Sequence, residues 1–183
     1  MGDPCVNLGD SAEDGPVRTR LRPAYAEECE LLEVWRADPQ SPYDDWSGPD
    51  PPGLEGAVRL PPPEDGGQLV VADDHDDPLG TVSWHAVHHG PGVGSQALDI
   101  GISLRPFGQG LGHGSRAQRM LAQYLFATTL THRVQASTDV ANVAEQRALD
   151  RAGFTREGVL RGAQWRQASW HDLVSYARLR GDV

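Results

Sequence analysis

L-R-P-F-G-Q-G-L-G-H-G-S-R-A-Q-R-M-L-A-Q-Y-L, residues Leu104 to Leu125, sets glycines at Gly108, Gly110, Gly112 and Gly114. The preceding Leu98-Asp99-Ile100-Gly101-Ile102-Ser103-Leu104 reads as a strand. Beyond the glycines, Ala117, Met120, Leu121, Tyr124 and Leu125 recur with helical spacing along one face. The chain thus passes from a strand through a glycine loop into a helix. Glycine allows tight turning and close approach of backbone to a ligand. The N–H groups and positive dipole end of a helix favour an anion at that point. The plainer reading is a turn that only joins two elements. A nucleotide-triphosphate loop of the Walker type needs a lysine, and all 16 basic residues are Arg. The dinucleotide pattern G-x-G-x-x-G also fails, because His113 stands where its third glycine belongs.

At 183 residues and 38% hydrophobic content, one domain with a real core is expected. No apolar run approaches the roughly 18 residues of a membrane span, and no membrane association is expected. The opening Met1-Gly2-Asp3-Pro4-Cys5 lacks a basic segment followed by an apolar one. Two cysteines, Cys5 and Cys29, make neither a disulfide framework nor a zinc set. A cytoplasmic location is the expectation. Charge is divided unevenly: residues 1–80 carry 5 Arg against 19 Asp and Glu, and residues 81–183 carry 11 Arg against 7. The glycine loop lies in the positive half, as an anion site should. The acidic half would repel nucleic acid and draw a cationic partner, or serve only as a solvated surface.

Residues 1–15 read as a loose tail and 16–183 as a single domain. A strand is expected at Arg18–Arg22, and a helix over Ala24–Arg36 with Ala24, Leu31, Leu32 and Trp35 as its contacts. Residues 37–67 are rich in Pro, Gly and Asp, with Trp46, Leu54 and Val58 as scattered anchors and a possible short helix at 54–60; such a long loop is often a lid or binding loop. Hairpin strands follow at 68–72 and 79–87, then a loop and the strand before the glycines. Beyond the long helix come a strand at 133–138, a helix over 142–152 capped by Asn142 and stopped by Gly153, and strands at 154–160 and 169–179. Trp165 and Trp170 lie near the last bend. The fold class is α/β (α+β): a mixed central sheet of about six to seven strands with helices on both faces.

The glycine loop followed by Thr138-Asp139-Val140-Ala141-Asn142-Val143-Ala144-Glu145-Gln146-Arg147-Ala148-Leu149-Asp150-Arg151-Ala152-Gly153-Phe154 resembles the GNAT superfamily of acyl-coenzyme A-dependent N-acyltransferases. The branch it is most similar to holds the ribosomal-protein N-terminal acetyltransferases and many small-molecule acetyltransferases. The resemblance covers residues 96–180 clearly. It implies acetyl-coenzyme A as co-substrate, with its pyrophosphate on the backbone of Phe107-Gly108-Gln109-Gly110-Leu111-Gly112 and the helix entry at His113 and Gly114. It also implies that Ile102, Leu104 and Arg105 line the pantetheine arm and that Asn142 faces the cofactor. No metal is needed in the family.

The reaction so implied is attack of a neutral amine on a thioester, which needs a base, donors for the oxyanion and an acid near the thiolate. The branch's usual acid, a Ser three positions after the Asn, is replaced here by Glu145. The Glu that often serves as base is replaced by Gln164. Glu145 is a candidate catalytic group, or a capping partner of Asn142. Asp99 and His85 are candidate bases; His85, with His88, His89 and the acidic turn Asp73–Asp77, is also a conceivable metal ligand. His171 and Asp172 are placed to shape the acceptor pocket. The expected activity is direct acetyl transfer to a primary amine of a small molecule or a peptide N-terminus, by a monomer or homodimer. The acceptor is expected to be cationic, with Asp44, Asp45 and Trp46 offering carboxylates beside an apolar wall. The alternatives are a non-catalytic acyl-coenzyme A-binding regulatory module and an enzyme that uses another acyl group.

Overall fold

Alternating side chains give the sheet one oily face and one polar face. In the computed structural model, residues 17–38, 40–43, 49, 52–53 and 66–182 are described. The expected tail at 1–15, the helix at 54–60, the anchors Trp46, Leu54 and Val58, and the carboxylates Asp44 and Asp45 lie outside the described residues. Seven strands form one sheet in the order β1-β2-β3-β4-β5-β7-β6. They are β1 (Arg20–Arg22), β2 (Gly67–Ala72), β3 (Pro78–His88), β4 (Gln96–Leu104), β5 (Arg133–Asp139), β6 (Thr155–Arg166) and β7 (Ser169–Leu179). Every neighbouring pair is antiparallel except β4 and β5.

Helix α2 (His113–Thr128) carries the predicted apolar stripe. Ala117, Leu121 and Leu125 are buried against Val82, Leu98, Ile100 and Val134, while Met120 and Tyr124 pack at the margin. Helix α3 (Val143–Arg151) lies beside α2 and adds Leu149 to the same core. The opposite face carries Gln68, Thr81, Ser83, Gly101 and Ser103 beneath Leu32, Trp35 and Arg36 of α1 (Cys29–Ala37). Helices therefore cover both faces.

The first helix departs from expectation. A 3-10 turn, Ala26–Glu28, precedes α1, and no residue of α1 is fully buried. Leu31 is 38% exposed and Ala24 faces solvent, so neither is the contact anticipated. The cause is local: the Glu28 carboxylate accepts from the Tyr25 N–H at 2.8 Å and from both Arg22 Nη atoms at 2.7 Å, which caps a tight first turn. Arg22 also donates to Asp76 at 3.0 Å, fastening this turn to the one between β2 and β3.

The parallel pair positions everything that follows. β4 and β5 pair only at Leu98↔Val134 and Asp99↔Gln135. Beyond that point β4 stays with β3 as far as Leu104, and β5 stays with β7 as far as Asp139. Each strand keeps its outer partner, so the sheet splits into a V between them. Leu121 is fully buried in the core that joins the two halves. Leu121→Ala is expected to cost about 2–5 kcal/mol in urea unfolding, whereas Val34→Ala, at a site 58% exposed, should stay within about 0.5 kcal/mol.

Candidate active site

The V opens into a cleft of about 820 Å³. One wall is β4 with Asp99, Gly101, Ile102 and Leu104; the other is β5 with Ala136, Ser137, Thr138 and Asp139. Its upper end is closed by Gln109, Gly110, Gly112, Gly114 and Ser115, and its flank by Asn142, Ala144, Glu145, Arg147, Ala148 and Arg151 of the α3 segment.

The glycine loop is shaped by backbone conformation. A 3-10 turn at Pro106–Gly108 leads to Gly110 at φ 74° and to Gly112 at φ 94°, where Gly112 is the N-cap of α2. L side chains rarely adopt these angles. Gly112 has no side chain with which to cap the start of α2. The helix therefore presents its first N–H groups and positive dipole end to the cleft, the arrangement that binds phosphate. A Cβ on Gly110 or Gly112 would meet nothing within 4 Å, so room remains there for a ligand. On the same side, Arg147 and Arg151 lie one turn apart on α3 and add positive charge.

Several residues expected at the cofactor lie elsewhere. Gly108 is buried against Leu79. Phe107 packs edge-on to Trp35 at 6.2 Å, and Leu111 is 56% exposed. Arg105 donates to the Asp38 carbonyl at 3.0 Å and lies over the Trp35 ring in a second hollow of about 370 Å³. The His113 side chain is buried, with Nδ1 2.9 Å from the Thr19 hydroxyl. Arg105, Phe107, Gly108, Leu111 and His113 thus build the loop from behind and do not line the cleft. Ile102, Leu104, Gln109, Gly110, Gly112, Gly114 and Asn142 do line it.

The three candidate catalytic residues, Glu145, Asp99 and His85, also line the cleft. Asn142 Oδ1 accepts from the Glu145 N–H at 3.2 Å, as a helix cap does. The Asn142 N–H already goes to the Asp139 carbonyl at 2.9 Å, so the cap does not depend on the Glu145 carboxylate. Asp99 stands at the point of the V, opposite His85 in the β3–β4 register. Burial raises its carboxyl above the usual range, and the Gln135 N–H bond with the nearby His85, Arg133 and His89 charges offsets only part of that. Among the described residues, no group of three or more His, Cys, Asp and Glu could hold a metal ion.

A polar cluster forms where β5 ends. Asp139 accepts from Arg166 Nη2 at 2.6 Å, from the Ala141 N–H at 2.7 Å, and lies 3.0 Å from His171 Nδ1. Burial raises the Asp139 carboxyl, but the Ala141 N–H and the Arg166 guanidinium outweigh it and hold it below the usual range. Arg166 also donates to Gln164 at 2.6 Å and to the Tyr43 carbonyl at 3.3 Å, and the Tyr43 hydroxyl donates to the Ala141 carbonyl at 3.1 Å. Asp172 instead accepts from the Gly162 N–H at 2.7 Å. Asp139 could be suspected from its place three residues before Asn142. Arg166 and Tyr43 carry no signal in sequence, since only the folded hairpin brings them here. Arg147 and Arg151 were legible as a four-residue repeat on the predicted helix.

Comparison with known proteins agrees with this fold. A domain model described as an acetyltransferase (GNAT) domain matches residues 18–155. The Bacillus subtilis (strain 168) protein named "Probable N-acetyltransferase YjcK" is 31% identical over 114 residues, 62% of this chain and 61% of that one. The chain thus spans about three fifths of the length of this curated relative. Among solved structures, a ribosomal-protein-S5-alanine acetyltransferase from Vibrio fischeri is 25% identical with a TM-score of 0.57, covering 64% of this chain and 63% of that one. A spermidine N-acetyltransferase from Vibrio cholerae, solved with CoA and spermine, shares the fold with a TM-score of 0.70 at 15% identity, over 90% of this chain and 96% of that one. Because the domain model covers most of its length, the chain belongs to the GNAT acetyltransferase domain family.

Proposed function

We propose that this chain is an N-acetyltransferase that moves an acetyl group from acetyl-coenzyme A directly to a primary amine. The observation that carries the reading is the V between β4 and β5, which runs from the Asp99 carboxylate to the uncapped, glycine-lined start of α2. The co-substrate supplies the thioester that the amine attacks. The N–H groups of Gly110, Gly112, Gly114 and Ser115 take the pyrophosphate, and Arg147 and Arg151 add charge attraction beside it. The inner edges of Ile102–Leu104 and 136–139, which have no strand partner across the V, flank the pantetheine arm. Asn142 holds the turn that closes this wall.

Asp99 takes the role of base. As a carboxylate it accepts a proton from the ammonium form of the acceptor, directly or through one water, and leaves a neutral amine to attack. New C–N bond formation is matched by loss of the C–S bond, and the departing thiolate takes up a proton. Glu145 is the α3 carboxyl group that lines the same cleft; it supplies that proton and is restored by the proton that the acylated nitrogen sheds. A raised pKa suits Asp99, because a base nearer to neutrality binds its proton more firmly.

The acceptor is read as a cationic primary amine. Asp99, Glu145 and Asp139 line the cleft, and Asp139 is already neutralised by Arg166. The Vibrio fischeri structure is named a ribosomal-protein-S5-alanine acetyltransferase, and the Vibrio cholerae structure of the same fold a spermidine N-acetyltransferase. A cytoplasmic setting is part of the same reading, since two cysteines make no disulfide framework.

Four outcomes are expected. Gly110→Val and Gly112→Val force a branched side chain to positive φ and should weaken acetyl-coenzyme A binding by at least tenfold in calorimetry. Normal binding by both would make the loop a mere turn. Gln at both Arg147 and Arg151 should weaken binding several-fold and flatten its salt dependence; an unchanged salt slope would remove the two arginines from the cofactor site. Asp99→Asn should lower turnover by about 10²–10⁴-fold, read as thiol release with a panel of cationic, neutral and anionic amines. Because the folded Asp99 carboxyl is raised, the unfolded chain ionises first as pH rises. Stability conferred by the protonated form is therefore lost above the unfolded value, near 3.9. Asp99→Asn should accordingly melt higher than the parent at neutral pH, and that advantage should shrink as pH falls toward 4.

A further inference from the structure

We infer that Gln135 is a positioning residue for the reaction: it holds the Asp99 carboxylate at the point of the V and keeps it in the charged, proton-accepting form. The inference rests on the reading of Asp99 as base. Gln135 is the last β5 residue paired with β4, and its partner in that pair is Asp99 itself. Its Nε2 donates to Asp99 Oδ2 at 2.9 Å.

The orientation of the amide is dictated by its other neighbour. Arg133 lies two residues earlier on β5, on the same face, and its Nε is 3.1 Å from Gln135 Oε1. A guanidinium nitrogen donates and cannot accept. The amide oxygen must therefore face Arg133, and the NH₂ group must face Asp99. His89 Nε2, 2.9 Å from the same oxygen, then acts as a second donor. Arg133 is in turn fixed by Glu157 of β6 through two bonds, one of 2.7 Å from Nη1 and one of 2.5 Å from Nη2. A chain of defined donors thus runs from β6 to the cleft and ends on the carboxylate.

The charged and titratable groups around Asp99 are His85 from β3, His89 from the loop after β3, Arg133 from β5 and, across the cleft, Glu145 from α3. Only Gln135 gives Asp99 a direct hydrogen bond among the side-chain bonds described. A donor to a carboxylate favours its ionised form and opposes the effect of burial. The same bond pins Oδ2 to the sheet and leaves Oδ1 as the oxygen available to the acceptor.

The test is the pH profile of kcat/KM for Gln135→Met and Gln135→Glu, beside the parent and Asp99→Asn. Met fills the site without a donor. Glu keeps an acceptor for Arg133 and His89 but places a negative charge beside Asp99. A lost hydrogen bond to a charged group predicts that the acidic limb moves up by about one pH unit for Gln135→Met, and further for Gln135→Glu, with turnover partly recovered at high pH. An acidic limb that stays at the parent position in both variants, whatever their melting temperatures, would overturn the assignment. Turnover retained in Asp99→Asn would overturn the base reading, and this inference with it. Should Gln135→Met fail to fold, Gln135→Glu, which keeps the Arg133 contact, decides alone.

Discussion

Two residue pairs hold the centre of this sheet together. Everything functional depends on that short ladder. A longer β4–β5 pairing would close the gap in which the cofactor arm is proposed to lie, and no pairing at all would let the halves drift. The pairing stops because β5 follows β7, whose register with it runs without a break from Arg133↔Leu179 to Asp139↔Leu173. β4 is held equally firmly by β3, from Gly80↔Leu104 to His88↔Gln96. Strand twist accumulates along each half separately, and the divergence becomes the cleft.

The polar groups are arranged along this divergence in a fixed order. At the closed end stands Asp99, raised by burial and supported by Gln135. At the end of β5 stands Asp139, lowered because the Ala141 N–H and Arg166 outweigh its burial. Two carboxyl groups on facing strands are thus driven in opposite directions by their surroundings. Asp139 is held toward its ionised form by its partners, and Asp99 is the one proposed to exchange a proton. The features proposed to bind phosphate lie at the far end, on the loop and on α3, so the proposed anion-binding and acid–base duties are separated in space.

Much of this was legible in the chain. The Gly108–Gly114 spacing and the helical stripe beginning at Ala117 identify the strand–loop–helix unit, because both depend on local conformation alone. Asn142 is readable as a cap for the same reason. Local patterns failed where distant residues decide. Ala24 and Leu31 were expected as packing contacts of the first helix, but Glu28 is drawn onto Arg22, which also holds Asp76, and sequence spacing does not reveal this. Phe107 and His113 sit within the motif yet face backwards, onto Trp35 and Thr19. A motif tells which backbone turns; the direction of its side chains depends on what packs behind it. Arg166 and Gln135 were invisible because their meaning lies in contacts across 27 and 36 residues.

The V also has a mechanical side. Without a ligand, the two halves of the sheet are joined at the Leu98↔Val134 and Asp99↔Gln135 pairs and backed by α2, like two blades. An extended chain rich in amides, laid between Ile102–Leu104 and residues 136–139, would act as a surrogate strand and bridge the blades. The co-substrate would then be a temporary beam of the framework as well as a source of acetyl groups. Stiffness and chemistry would rise together when it docks, and both would relax when the spent carrier leaves.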